Sequence, residues 1–218
     1  MQLFNKKISE SAIQKLLRSK YVLKSQFEKL TTIKKFNVLL EKEFSGGNIA
    51  IIALYEKAQL RPDIKKYLRM LKHKGIFIIA INTLKLSTQS IKENTSVFNV
   101  YIERDNSGRD FGSYKDAILY FYKMKMDESC TRLIICNDSV FYSKEGLSGF
   151  IDEMTNSDIP VMGVSENHDI SHHMGSFYLS FSSEIFKHLQ FKRFWFEYKK
   201  TNIRPDIIMN GEVKLSEP

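Results

Sequence analysis

Cysteine and proline are scarce in this chain, with two and four copies in 218 residues. Cys130 and Cys136 have no partner at metal-ligand spacing, and two thiols do not make a disulfide framework. A reducing, cytoplasmic setting is the simplest expectation. The few prolines and the ten glycines leave little room for long disordered linkers. Internal repeats and low-complexity tracts are absent, and the opening MQLFNKKISES has no apolar signal core. No hydrophobic run approaches the roughly 18 residues that mark a membrane-spanning helix. Any contact with a membrane is therefore expected to be peripheral.

What the chain does have is basic charge, +8 overall with a pI of about 9.3. Such an excess favours anionic partners: nucleic acid, nucleotide phosphates or an acidic membrane surface. The lysines are spread through the first 45 residues, 65–74 and 187–200, which also suits an ordinary solvated surface. The composition is that of a globular protein, long enough to bury a core in one α/β domain.

Apolar periodicity divides the chain. Over 8–44, Ile8, Ile13, Leu16, Leu17, Ile33, Phe36, Leu39 and Leu40 recur at three and four, predicting an amphipathic helical region with lysines on its polar face. Its cations Lys6, Lys7, Lys15, Arg18, Lys20 and Lys24 could meet an anionic leaflet, or the apolar stripe could dock on the rest of the chain. Ser45-Gly46-Gly47 closes this region. Short β-branched runs follow at 48–54, 76–81, 97–102 and 132–136, with helical patterns at 61–74 and 114–126 between them. Further strands are expected at 161–164 and 176–181, and 191–198 is an aromatic-rich segment. Strands alternating with helices predict a mainly parallel sheet flanked by helices. The expected organisation is a helical extension over 1–45 and one α/β domain over 46–218. Ligands of such sheets bind beyond the carboxyl ends of the strands.

Two segments stand at those ends. Glu103–Lys115 is dense in charge and carries Gly108 and Gly112 where a strand should give way to a helix. Glycine lets backbone approach a ligand, and a helix N-terminus offers N–H groups to phosphate. Asn106, Gly108, Arg109, Asp110 and Lys115 are the expected ligand contacts, with Arg104 adding charge, although the segment is neither a Walker loop nor a dinucleotide fingerprint. It also suits a surface turn closed by its own salt bridges. Asn137-Asp138-Ser139 follows the fourth strand. A carboxylate there could hold a hard divalent cation, Mg²⁺ or Mn²⁺, or could cap a turn. His168, His172 and His173 crowd one loop without the helical or cysteine-paired spacing of a structural zinc site. The expectation is a loop histidine touching substrate or phosphate. The aromatic-basic stretch around Trp195 resembles a single-strand nucleic-acid surface, but such helices more often put aromatics in the core and extend bases to water. Because charge gathers at strand ends, a small-ligand site is expected rather than nucleic acid.

The segments NSGRDFGSYKDAI (106–118), LIICNDSVF (133–141), the Gly163 strand, HMGSFYLSF (173–181), FKRFW (191–195) and NGEVKLS (210–216) come in the order seen in the rhamnan synthesis protein F family. The resemblance covers roughly residues 48–216. One departure is Gly175, where the family usually has glutamine. The resemblance implies a GT-A-like fold and a glycosyltransferase acting with inversion. Its donor would be a nucleotide-sugar, dTDP-rhamnose foremost, and its acceptor a polysaccharide or lipid-linked glycan. It further implies that Asn137, Asp138 and Ser139 serve the donor, with Asp138 as metal ligand. An inverting transfer needs a base for the acceptor hydroxyl and support for the departing diphosphate. Glu212, His173 and Asp110 are the candidate bases. A catalytically inert domain of the same fold, acting as an assembly partner, is the alternative.

Overall fold

The computed structural model describes residues 37–168 and 172–216. Its centre is a seven-stranded sheet in the order β1-β4-β3-β2-β5-β9-β6. The middle four are parallel: β4 (Val100–Glu103), β3 (Phe77–Asn82), β2 (Gly47–Leu54) and β5 (Cys130–Asn137). β9 (Tyr178–Ser182) and β6 (Val161–Gly163) add antiparallel strands on one side, and β1 (Asn37–Glu41) adds one on the other. The result is a mixed α/β fold with a mainly parallel central sheet.

β2, β3 and β5 read as continuous apolar runs because helices cover both their faces. Side chains alternate along each strand, so each strand serves two cores. Ile49, Ile51 and Ala53 join Ile79, Ile81, Leu133 and Ile135 under α3 (Arg109–Lys123) and α6 (Leu189–Glu197), where Phe111, Tyr114, Phe121 and Trp195 are buried. Ala50, Ile52 and Leu54 join Ile78, Ile134 and Cys136 under α1 (Pro62–His73) and α4 (Leu147–Asn156). α1 supplies Ile64, Tyr67, Leu68 and Leu71, the helical stripe its spacing predicts. A short α2 (Thr88–Glu93), capped by Ser87 Oγ on the Ser90 N–H, leads into β4, and a short α5 (Ser183–Lys187) follows β9. Both cysteines are free and buried, and burial pushes each thiol up to about 12. They are packing groups.

Three expectations change. The helical reading of 8–44 fails at its end, because Asn37–Glu41 pairs with β4 as an edge strand. The three-and-four spacing of Leu39 and Leu40 fits an edge strand equally well, and β4 had open backbone groups to satisfy. Residues 1–36, including the remaining apolar stripe and its lysines, lie outside the described residues. The third parallel strand begins at Val100 rather than Val97, since Val97 and Phe98 close the turn onto the Asn94 carbonyl. α3 starts at Arg109, five residues before the expected Tyr114, so Arg109 and Asp110 of the charged segment lie in its first turn. None of the helices among the described residues is long and apolar enough to cross a membrane.

Candidate active-site cleft

β3 and β4 lie to one side of β2, whereas β5 lies to the other. This reversal opens a crevice at the carboxyl ends of β2 and β5. A cleft of about 500 Å³ lies at this end of the sheet. Arg109, Asp110, Asn137, Ser139, His173, Gly175, Ser176 and Glu212 all line it. Residues far apart in sequence thus meet at one place.

α3 supplies one wall. Gly108 takes the left-handed conformation with φ +80°, and its N–H is held by Asn202 Oδ1 at 2.7 Å. Arg109 follows at φ +50°, a left-handed conformation uncommon for a residue with a side chain and costly to hold. At Gly112 a Cβ would stand 2.1 Å from the Ser107 carbonyl oxygen, so the turn closes only on glycine. Both glycines of the motif therefore shape the start of the helix, which brings Arg109 and Asp110 to the cleft.

β5 supplies the floor. Asn137 and Ser139 line the cleft, while Asp138 between them accepts the Tyr55 N–H at 2.6 Å on Oδ2. Asn137 Nδ2 donates to Asp110 Oδ2 at 3.0 Å, and its carbonyl accepts the Tyr142 hydroxyl at 2.8 Å. Burial, then the neighbouring Asp138 charge, pushes the Asp110 carboxyl above the usual range against the pull of Asn137 and Arg109. Burial also raises Asp138, opposed by the Tyr55 N–H and Arg61. Glu56 is raised by burial and then by Asp138. In all three carboxyl groups burial outweighs the pull of the neighbouring guanidinium groups, Arg61 on Glu56 and Asp138 and Arg109 on Asp110.

The third wall comes from the C-terminal part. α7 (Arg204–Ile207) runs into a π-helical segment, Ile208–Val213, and a last turn, Lys214–Ser216. Gly211 lets this segment lie on the Phe111 ring, where a Cβ would come within 2.8 Å of a ring carbon. The next residue is Glu212. Its Oε1 accepts the Ser176 hydroxyl at 2.5 Å, and its Oε2 lies 3.4 Å from His173 Nε2. The Ser176 carbonyl is in turn held by the Tyr114 hydroxyl at 3.0 Å. The glutamate is partly open to the cleft, whereas His173 is 1% exposed.

Not every expected residue faces the cleft. Lys115 Nζ donates to the carbonyls of Phe196 and Tyr198 at the end of α6, a favourable place for a cation. Arg104 is buried and binds Asp116, Ser113 and Ser107. The charge of both is engaged in the fold. Asn106 accepts the Arg109 N–H through its carbonyl, and neither it nor Gly108 lines the cleft. One organiser escaped sequence reasoning. Arg61, just before α1, forks onto Asp63 through Nε and Nη2 at 3.0 Å each, and reaches the carbonyls of Asp138 and Val140 at 2.9 Å. It ties the β2 end to the β5 end. Only its position ahead of Pro62, beyond an apolar strand, could have drawn notice. The aromatic stretch puts Phe191, Trp195 and Tyr198 in the core, as expected, while Phe196 is exposed, and Lys192 bonds Asp127 at 2.8 Å while lying over the Tyr122 ring.

The family model described as rhamnan synthesis protein F matches residues 76–217. Uncharacterized protein y4gN of Sinorhizobium fredii (strain NBRC 101917 / NGR234) is 26% identical over 176 residues, covering 79% of this chain. The chain spans 45% of that relative's length. No solved structure matches significantly.

Proposed function

From the premise that the chain belongs to the rhamnan synthesis protein F family, we propose that it is a glycosyltransferase of the GT-A type. It transfers rhamnose from dTDP-rhamnose, with inversion, to a polysaccharide or lipid-linked acceptor at the inner face of the membrane. The observation that carries this reading is Glu212, held by Ser176 and His173 in a cleft whose other wall is the N-terminus of α3.

The chemistry asks for two things at once. The acceptor oxygen forms a bond to the anomeric carbon as its proton leaves, and the bond from that carbon to the diphosphate oxygen breaks, its electron pair going with the diphosphate. Glu212 receives the proton, with Ser176 and His173 as positioning residues that fix its carboxylate. Arg109 and the positive end of the α3 dipole stand where the negative diphosphate would collect. Asn137 holds Asp110 in place and Ser139 offers a hydroxyl beside it.

A divalent cation fits the donor set. Asp110, which lines the cleft, and Asp138, turned toward the Tyr55 N–H, would be its oxygen ligands: burial raises both carboxyls, the Asp138 charge raises Asp110 further, and each has one carboxylate oxygen engaged in a hydrogen bond. Mg²⁺ and Mn²⁺ sites of this kind use one or two carboxylates plus substrate phosphates. Such an ion, when bound, neutralises charge on the diphosphate.

The reading is tested by thermal melts with UDP-, GDP- and dTDP-sugars, with and without Mg²⁺ or Mn²⁺. dTDP-rhamnose with a divalent ion should raise the melting temperature by mass action. Failure of every nucleotide-sugar to shift it would remove the transferase reading.

A further inference from the structure

β7 (Glu166–Asn167) and β8 (His173–Met174) pair antiparallel, Glu166 opposite Met174 and Asn167 opposite His173. Side chains on such a pair alternate between two faces. His173 goes to the buried face, against Glu212. Glu166 and His168, two apart, share the other face, and His172 joins them from the opposite strand. The alternation therefore splits the three histidines of this loop and recruits a carboxylate that spacing among histidines alone does not suggest.

His172 Nε2 lies 3.4 Å, and His168 Nε2 3.8 Å, from one oxygen, Glu166 Oε2. The two imidazoles are 4.9 Å apart between centroids, and one ligand atom from each of the three residues falls within 4.8 Å of the others. Zn²⁺ binds imidazole nitrogen and carboxylate oxygen at roughly 2.0–2.2 Å in a tetrahedron, which sets neighbouring ligands about 3.4 Å apart. One measured separation already has that value, and these exposed side chains can turn through the remainder.

We propose that Glu166, His168 and His172 bind one borderline transition-metal ion of the Zn²⁺ type, leaving a coordination position open. Two imidazoles and one carboxylate favour Zn²⁺ over Mg²⁺, which prefers oxygen alone. Glu166 also lines the cleft, so the metal sits at its mouth and clamps the strand pair whose other face presents His173. The site is separate from the Asp138 region and does not rest on the transferase reading.

The test is a Zn²⁺ titration of the chelator-stripped full chain in competition with a chromophoric chelator. One equivalent should bind with micromolar or tighter affinity, and Co²⁺ should give the absorption of a tetrahedral site. Glu166→Gln, His168→Ala and His172→Ala should each weaken binding at least about tenfold, since each removes one of three protein ligands. All three positions are exposed, so metal-free melts of the variants should match the parent. Absence of saturable Zn²⁺ binding, or any variant that binds within tenfold of the parent, would overturn the site.

Discussion

At the scale of single residues, Asp110 carries an electrostatic cost. It is pushed up by burial and by Asp138, and Asn137 and Arg109 only partly compensate. A carboxyl whose folded value lies above its unfolded value stabilises the fold below the carboxylate range, and that contribution is lost as pH rises through the folded value. At neutral pH the ionised group therefore works against folding. Asp110→Asn keeps an acceptor for Asn137 and removes the charge. It should melt higher than the parent at pH 7, with the gap closing as pH falls below the usual carboxylate range. A variant less stable than the parent at pH 7 would show that ionised Asp110 is a net support of the fold. The same carboxylate repulsion is what a divalent cation would relieve, so the gain should shrink when donor and Mg²⁺ are bound.

At the scale of elements, the C-terminal segment is placed by one missing side chain. Gly211→Ala would drive a methyl into the Phe111 ring, and overpacking of this kind costs about 1–3 kcal/mol. Denaturant unfolding should show that loss, and Phe111→Leu in the same chain should recover part of it because the two sites are in contact. A Gly211→Ala variant as stable as the parent would mean that the π-helical segment moves aside freely and does not fix Glu212. This element also marks what a sequence can and cannot disclose. The runs at 48–54, 76–81 and 132–136 were legible as strands because burial on both faces demands unbroken apolar, β-branched sequence. Leu39 and Leu40 misled because helical spacing and an edge strand are both compatible with two adjacent leucines. α4 (Leu147–Asn156) and the segment from Arg204 went unread, their short apolar patterns lacking a clear period. The charged turn at 103–115 could be placed beside the cleft, but not the direction of each side chain. Lys115 lies on α3 near the end of α6, and no local pattern announces that neighbour. Asp138 stood out as the acidic residue at a strand end, yet alternation sends its carboxylate to Tyr55 and leaves Asn137 and Ser139 facing the cleft. Glu212 was reachable only through family resemblance, since its partners Ser176 and His173 are more than thirty residues away.

At the scale of the molecule, the fold sets acidic and basic groups at one end of the sheet. The reversal between β2 and β5 creates the opening, Arg61 locks its rim, and α3 and the C-terminal segment close its walls. Under the proposed function, donor binding falls to the α3 and β5 side and proton removal to Glu212, so the two functions should separate experimentally. The most direct measurement compares parent and Glu212→Gln for release of dTDP from dTDP-rhamnose, alongside donor-induced stabilisation of each. The account predicts that Glu212→Gln binds the donor as the parent does while turnover falls by about 10²–10⁴-fold, the usual worth of a positioned base. Undiminished turnover in Glu212→Gln, with donor binding intact in both proteins, would contradict it.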